Sequence, residues 1–152
     1  MNISDNGLKL IAKFEGLRLE AYTATASERE RGIWTIGYGS THWPDGRPVK
    51  KGDRLANEAE ALTLLKDTVK PYVAAVNRAV KVHVTQNQFD AMVSICYNIG
   101  TSAFEKSTLV RKLNKIDIIP VANEFSRWTK QAGVELAGLK NRRHEERNFF
   151  LS

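Results

Sequence analysis

Glu15 has the residue type and the setting that acid catalysis requires. It ends a stretch with helical periodicity, directly before Gly16, and Phe14 and Leu17 flank it. A carboxylate at a helix C-terminus faces the negative end of the helix dipole, and apolar neighbours limit its hydration. Both effects favour the protonated form, which a general acid must retain near neutral pH. From position alone, an exposed glutamate in a last helical turn is the simpler interpretation.

Other kinds of chemical site find little support. The segment 37–42 lacks the third glycine of a dinucleotide-binding loop, and no Walker-type sequence occurs. His42, His83 and His144 are far apart and have no helical histidine partner, so neither a metal site nor a cofactor is expected. Cys96 is the single cysteine, which excludes an intramolecular disulfide, and its apolar neighbours indicate a buried, inert thiol.

A short helix and a small antiparallel sheet must position the glutamate. Ser4 or Asp5 can cap the helix, and Gly16 is placed to end it. Residues 17–41 contain strand-like alternation, with 24–31 expected to be a mobile connection between the strands.

Helical signals dominate after the turn-rich residues 42–56. Thr85 and Gln88 form the pattern of a capping box, and Pro71 should break the helical run that begins near Asn57. Further helices are expected over 107–115, 120–131 and 139–150. The order of elements predicts one α+β domain over residues 1–152, with its strands gathered near the N-terminus.

Composition restricts the class of protein. The chain has 152 residues, 42% hydrophobic and 26% charged, which excludes an intrinsically disordered chain. The net charge of +6 indicates a polyanionic partner without identifying it. No signal-peptide pattern is present and no apolar run approaches the roughly 20 residues of a membrane span, so we expect synthesis in a cytoplasm without stable membrane insertion.

Several motifs together resemble one family, the phage-type lysozymes, which are bacteriophage endolysins that hydrolyse peptidoglycan. The resemblance runs from about residue 4 to the C-terminus, and both the order and the spacing of the motifs agree with those of the family. The matching stretches are Phe14–Tyr22, Gly32–Gly39, Thr85–Ala91, Tyr97–Gly100 and Leu139–Arg147.

The resemblance implies a two-lobed lysozyme-like fold with the active-site cleft between the lobes. The small sheet lobe would cover about 17–56, and the helical lobe about 72–152 plus the N-terminal helix. The implied reaction is hydrolysis of the β-1,4 bond between N-acetylmuramic acid and N-acetylglucosamine, which leads to lysis of the host cell.

The resemblance also implies roles for individual residues. Glu15 falls on the family's general acid, and Thr35 on the threonine that helps to hold the attacking water. Asn98 matches a polar cleft position that can hydrogen-bond a sugar acetamido or hydroxyl group, although it also fits an ordinary helix-end residue. Tyr38 is the second residue expected to bind substrate.

The family's second catalytic carboxylate is missing. Ala24 and Arg29 occupy the two positions at which the family's spacing places its aspartate, and neither can act as a base at neutral pH. The connection that carries Glu28 and Glu30 is longer than the family's usual spacing, and a longer flexible loop costs little free energy, so either residue could reach the vacated place. We hypothesise that Glu30 replaces the aspartate, with Glu28 as the second choice, because Glu30 is nearer the strand that carries Thr35. In the alternative, both glutamates are solvated and Thr35 alone holds the water.

The expected partner is bacterial peptidoglycan, reached by a monomer after a separate holin-like protein has permeabilised the membrane. A catalytically impaired peptidoglycan-binding protein of the same fold is the alternative, because the aspartate is missing. A nucleic-acid binder is disfavoured, since the basic residues are interspersed with acidic ones and no nucleic-acid-binding motif is present.

Overall fold

The computed structural model describes residues 1–152 and has the predicted α+β class. A single 3-10 turn covers Phe125–Arg127. The helices are α1 (Asp5–Glu15), α2 (Ala26–Arg31), α3 (Glu58–Thr68), α4 (Lys70–Ala79), α5 (Gln86–Ile99), α6 (Thr101–Glu105), α7 (Thr108–Leu113), α8 (Ile118–Glu124) and α9 (Ala137–Leu151). The strands are β1 (Arg18–Tyr22), β2 (Thr35–Gly37), β3 (Lys130–Gln131) and β4 (Val134–Glu135). None of the helices combines the length and apolarity that a membrane crossing needs.

The predicted helix starts are confirmed by their caps. At α1, the Ser4 hydroxyl oxygen accepts a hydrogen bond from the Gly7 N–H at 3.1 Å. At α5, Thr85 and Gln88 form the complete capping box. The expected break near Pro71 is also present, since Val69 alone separates the end of α3 from the start of α4. The starts of α1 and α5 could be predicted from the sequence because each depends on a local bond between a side chain and the backbone.

Residues 11–70 form one compact unit around the β1–β2 sheet. The two strands are antiparallel, with Arg18 opposite Gly37 and Tyr22 opposite Thr35, and an irregularity in β1 lies between these pairs. The other edge of β1 bonds to residues 53–55 through backbone hydrogen bonds of 2.8 and 2.9 Å. The strand that follows Glu15 in the chain is therefore held on both edges.

The segment 24–31 was expected to be a mobile connection, and that expectation is wrong because it contains helix α2. The Thr25 hydroxyl accepts from the Glu28 N–H at 3.1 Å, and Glu28 Oε2 accepts from the Ala24 N–H at 2.7 Å. Gly32 ends the helix in the left-handed conformation, with φ +66. None of the residues of α2 is buried, so the helix is stabilised by its capping hydrogen bonds rather than by packing.

Residues 1–10 and 71–152 form the second unit, built around α5. The α5 residues 89–96 are all buried, and the longest helix, α9, packs along α5. Gly7 lets α1 approach α5 closely: a Cβ atom at Gly7 would lie 2.6 Å from Asp90 Cγ. Asp90 itself accepts from the Ser4 N–H at 3.0 Å and from Gln86 Nε2 at 2.8 Å.

The helix predicted over 120–131 is wrong in its last third. Helix α8 ends at Glu124, and the β3–β4 hairpin follows the 3-10 turn, with Lys130 opposite Glu135. Ala132 and Gly133 turn the hairpin with φ +50 and φ +80. Alanine is uncommon at such a position, so the usual Asn-Gly signal is absent from the sequence. Strands are consequently not confined to the N-terminal region.

Candidate active site

Glu15 is the last residue of α1, as predicted, and its side chain is half-buried. The helix ends there because Gly16 adopts φ +72, which turns the chain towards β1. The Gly16 N–H still donates to the Ala12 carbonyl oxygen at 3.4 Å, so the helical bonding continues to that point. The carboxylate thus lies at the negative end of a helix of 11 residues.

Thr35 is the first residue of β2, where it pairs with Tyr22. Its side chain is 4% exposed, yet Oγ1 has no hydrogen-bond partner in the protein. Buried hydroxyl groups in native structures almost always have a hydrogen-bond partner, either a protein group or an ordered water molecule. The Thr35 hydroxyl can therefore bind a water molecule or a substrate oxygen without breaking any internal bond.

The turn that follows Thr35 is braced by hydroxyl groups. Ile36 and Ser40 exchange two backbone hydrogen bonds of 2.8 and 2.9 Å, and the Ser40 hydroxyl lies 2.7 Å from that of Thr68 in α3. In the family that the sequence motifs resemble, a histidine that can pair with a carboxylate and brace the sheet lobe is common at this position. Here a neutral hydroxyl pair connects the turn to α3.

Tyr38 is 4% exposed, and its hydroxyl donates to Glu58 Oε1 at 3.2 Å. Burial, together with the nearby Glu58 charge, raises the pKa of the Tyr38 phenol above its usual value. The hydroxyl is thus already used inside the unit. A contact between Tyr38 and substrate stays a prediction.

The two glutamates proposed to replace the missing aspartate both lie on α2 but in different environments. Glu28 is half-buried, and one of its carboxylate oxygens accepts the Ala24 N–H. Glu30 is exposed. The helix therefore restrains the Glu28 carboxylate and leaves that of Glu30 in solvent.

Asn98 lies near the C-terminal end of α5, in the unit that contains residues 71–152. Its carbonyl oxygen accepts a hydrogen bond from the Arg143 guanidinium, which leaves the amide NH₂ group as a donor. Arg143 is 1% exposed and also donates to the Trp128 carbonyl oxygen at 2.9 Å. One buried arginine thus fixes both Asn98 and the backbone at Trp128.

Glu146 compensates the charge of this arginine in the interior. Its carboxylate is fully buried and accepts from the Ser94 hydroxyl at 2.6 Å, from Arg142 Nε at 3.1 Å and from Arg143. From the sequence alone, Arg142 and Arg143 could either pair with acidic residues within the fold or face an anionic partner. Both are buried and paired with Glu146, because an isolated charge at such a depth would be strongly destabilising.

A groove of about 380 Å³ opens beside Asn98, a size within the range of roughly 300–1,000 Å³ for small-molecule sites. The β3–β4 hairpin contributes part of its wall, so the sequence interpretation, which missed the hairpin, also missed the groove. Lys130 and Gln131 supply polar groups that no motif indicated. The lining residues are Asn98, Ile99, Trp128, Lys130, Gln131 and Leu139.

Neither a metal centre nor a thiol nucleophile is formed. No cluster of three or more His, Cys, Asp or Glu side chains is placed to hold a metal ion. Cys96 is buried as predicted, and burial, the largest cause, raises the pKa of its thiol to about 12. At neutral pH it is protonated and therefore a poor nucleophile.

Comparison with known proteins gives one consistent result. The phage lysozyme family model matches residues 12–146. The endolysin of Bacillus phage B103 is 43% identical over all of the chain, which spans only 55% of that relative's length. An endolysin from Escherichia coli O157:H7 phage FAHEc1 superposes with a TM-score of 0.88 at 42% identity, covering 100% of this chain and 94% of the other. The muramidase domain of SpmX from Asticaccaulis excentricus superposes with a TM-score of 0.86 at 38% identity, covering 99% and 98%.

Proposed function

This chain belongs to the phage lysozyme family, and from that membership we propose that it is an endolysin that hydrolyses peptidoglycan. The bond cleaved is the β-1,4 bond between N-acetylmuramic acid and N-acetylglucosamine. The names of its relatives, two endolysins and a muramidase domain, support this substrate class.

The unpartnered hydroxyl of Thr35 is the observation that carries the proposal. The half-buried Thr68, by comparison, has both a backbone carbonyl and another hydroxyl as hydrogen-bond partners. The Oγ1 atom of Thr35, in contrast, has no hydrogen-bond partner in the protein. Thr35 lies on β2, which pairs with β1, the strand that follows Glu15 in the chain. That hydroxyl supports a role in holding the water that attacks the sugar.

In the proposed mechanism Glu15 donates its proton to the glycosidic oxygen as the bond breaks. Thr35 holds a water molecule that attacks the anomeric carbon from the opposite face of the ring, which inverts the configuration. Inverting hydrolases use a second carboxylate, roughly 6.5–9.5 Å from the acid, to take the proton of that water. We assign this role to Glu28 rather than Glu30, because its carboxylate is half-buried and restrained by the Ala24 N–H.

Substrate binding is assigned to the groove beside Asn98. The amide NH₂ group of Asn98 donates to a carbonyl or hydroxyl oxygen of the substrate, and Arg143 holds that amide in place. Lys130 offers a positive charge to the carboxylates of the peptide stem. We further propose that the protein acts as a monomer and reaches the wall after a separate membrane-permeabilising protein has acted.

The decisive experiment is the release of reducing ends from purified peptidoglycan by wild type and by Glu15→Gln. We expect the variant to fold with an unchanged melting temperature and to lose activity by about 10³-fold, since the amide cannot donate a proton as an acid does. Product analysis by NMR identifies the cleaved bond and the anomer. Substantial remaining activity in a folded Glu15→Gln protein would reject the assignment of the acid.

A further inference from the structure

The groove beside Asn98 has one cation and two side-chain amides in its wall and no acidic residue. The cation is Lys130, which is exposed and has no ion-pair partner. Lys130 lies opposite Glu135 in the β3–β4 hairpin, but the Glu135 carboxylate is paired with Lys140 at 3.2 Å. The hairpin and the start of α9 therefore place two cations against one carboxylate beside the groove.

Arg143 decides which end of the Asn98 amide faces the groove. Its guanidinium donates to the exposed Asn98 side chain. Because a guanidinium has donors and no acceptor, the amide atom that faces it is Oδ1, and the NH₂ group points away from it. This NH₂ group has no partner within the protein and can donate to a ligand. The other amide in the wall, that of Gln131, has no such neighbour, so either of its ends can face a ligand.

The Arg143 guanidinium is itself held in place, because all three of its nitrogen atoms donate hydrogen bonds. Nη2 donates to Asn98, Nη1 to Glu146, and Nε to the Trp128 carbonyl oxygen at 2.9 Å. Glu146 is oriented in turn by the Ser94 hydroxyl, which donates to Oε1 at 2.6 Å. Arg143 is 1% exposed and Glu146 is fully buried, so water does not compete for these bonds. The orientation of the Asn98 amide is therefore fixed from the interior of the unit.

We propose that Arg143, as a positioning residue, makes the groove specific for N-acetylated sugars. The Asn98 NH₂ group donates to the carbonyl oxygen of an acetamido group. A sugar that has lost its acetyl group presents an ammonium group instead, which has donors and no acceptor. The Asn98 N–H bonds and the positive charge of Lys130 both repel that ammonium group. The identity of the substrate rests on the proposed function, whereas the orientation of the Asn98 amide does not.

The first test compares two soluble probes that differ only in their acetyl groups, the tetramer of N-acetylglucosamine and the tetramer of glucosamine. The Glu15→Gln protein, which should not consume the probes, is titrated at about pH 5.5, where the amines are charged. NMR follows the Asn98 side-chain NH₂ group and the Lys130 backbone amide. We expect saturable shifts of both signals, with the glucosamine tetramer bound about tenfold more weakly. Equal affinities would overturn the proposal, as would signals that neither probe shifts up to about 10 mM.

Asn98→Asp should reverse the preference while keeping the size of the side chain. One carboxylate oxygen keeps the bond to Arg143, and the other presents an acceptor where the NH₂ group was. We expect this variant to bind the N-acetylated tetramer about tenfold more weakly and the glucosamine tetramer about tenfold more tightly, read from the Lys130 amide. Asn98→Ala, the control, should lose affinity for the first probe without gaining any for the second. An Asn98→Asp protein with the parent melting temperature and the parent preference would contradict the proposal.

Arg143→Lys tests whether the arginine acts through Asn98. A lysine ammonium cannot hold three partners in the plane of a guanidinium, so the amide can turn and the preference for the N-acetylated probe should fall severalfold. The two oxygens of a carboxylate are equivalent, so the same change in the Asn98→Asp protein should leave the reversed preference unaltered. If Arg143→Lys lowers the melting temperature and both affinities but leaves their ratio unchanged, the arginine has a structural role alone.

Release of reducing ends separates this proposal from the proposed function. Wild type should cleave N-acetylated peptidoglycan with a kcat/KM about tenfold higher than it shows on the same material after chemical removal of acetyl groups. Equal values would reject the specificity and leave the hydrolytic function intact. If wild type releases no reducing ends while the two probes still differ in affinity, the hydrolytic function fails and the specificity of the groove stands.

Discussion

The Thr35 hydroxyl is buried and has no hydrogen-bond partner within the protein. Replacing Thr35 with valine breaks no hydrogen bond within the protein and keeps the shape of the side chain. We therefore expect Thr35→Val to be as stable as wild type or more stable by about 1 kcal/mol. If Thr35 holds the attacking water as proposed, activity on peptidoglycan should fall about 10²-fold. Urea denaturation and release of reducing ends measure the two effects.

Thr68 supplies the matched control for that substitution. Its hydroxyl is bonded to both the Leu64 carbonyl oxygen and the Ser40 hydroxyl. Thr68→Val should therefore lose about 1 kcal/mol of stability, in contrast to Thr35→Val. A Thr35→Val protein that is both active and destabilised would show that the hydroxyl has a structural role instead.

Glu28 and Glu30 can be separated by paired substitutions. Glu28→Gln keeps an oxygen that can accept the Ala24 N–H, so α2 should persist while the base is lost. We expect a fall in kcat of about 10²-fold for Glu28→Gln and near-wild-type activity for Glu30→Gln. Near-wild-type activity in both single variants and in the double variant would leave Thr35 as the only group that holds the water. A large loss confined to Glu30→Gln would restore Glu30 as the base.

At the scale of single elements, the contact between α1 and α5 depends on a glycine. A methyl group at position 7 would lie within 2.8 Å of both Cβ and Cγ of Asp90, whose side chain is fully buried. Gly7→Ala should therefore lower the free energy of unfolding by about 1–3 kcal/mol, even though alanine favours helices. Urea denaturation followed by circular dichroism measures the change.

Gly138 in α9 is the control for Gly7, because a Cβ atom there meets nothing within 4 Å. Gly138→Ala should leave stability unchanged or raise it by up to about 1 kcal/mol, through the reduced entropy of the unfolded chain. Equal effects of the two substitutions would show that the α1–α5 contact is looser than the structure describes.

The elements differ in how well sequence predicts them, and the reason is physical. Helix α5 was predictable because its cap, its buried face and its terminal glycine all lie within one continuous segment. Helix α2 was missed because it has no buried residue, so no apolar periodicity marks it, and only its Thr25 and Glu28 cap identifies it. The β3–β4 hairpin has two residues in each strand, too few for any alternation to be recognised.

The residues of the candidate site also differ in how well the sequence predicts them. Glu15 and Thr35 lie in continuous motifs, so the sequence alone is enough to propose them. The groove beside Asn98 is assembled from α5, the 3-10 turn region, β3 and α9, so it exists only once those elements have packed. The Arg143 interaction with Asn98 joins residues 45 positions apart and left no local signal.

For the molecule as a whole, the net charge of +6 should act on encounter with the wall rather than on bond cleavage. Peptidoglycan carries peptide carboxylates, and salt screens their attraction over a Debye length of about 8 Å at physiological ionic strength. We expect the rate of wall lysis at low substrate to fall severalfold between about 50 and 300 mM salt. Cleavage of a soluble, uncharged glycan should change little. Lysis that is indifferent to salt would leave the charge with a role in solubility alone.

Helix α1 contributes its first residues to the unit of residues 71–152 and its last five residues to the unit of residues 11–70. This division sets an order of events during synthesis. Residues 11–70 are continuous and can fold soon after they leave the ribosome, since domains fold as units from the N-terminus. The first ten residues emerge earlier still, but must wait for Asp90, 86 positions after Ser4, before their packing is complete. Helix α1 is therefore completed in two stages: its last five residues, with Glu15 among them, can pack with residues 11–70, and its first turn packs only after Asp90 has been made.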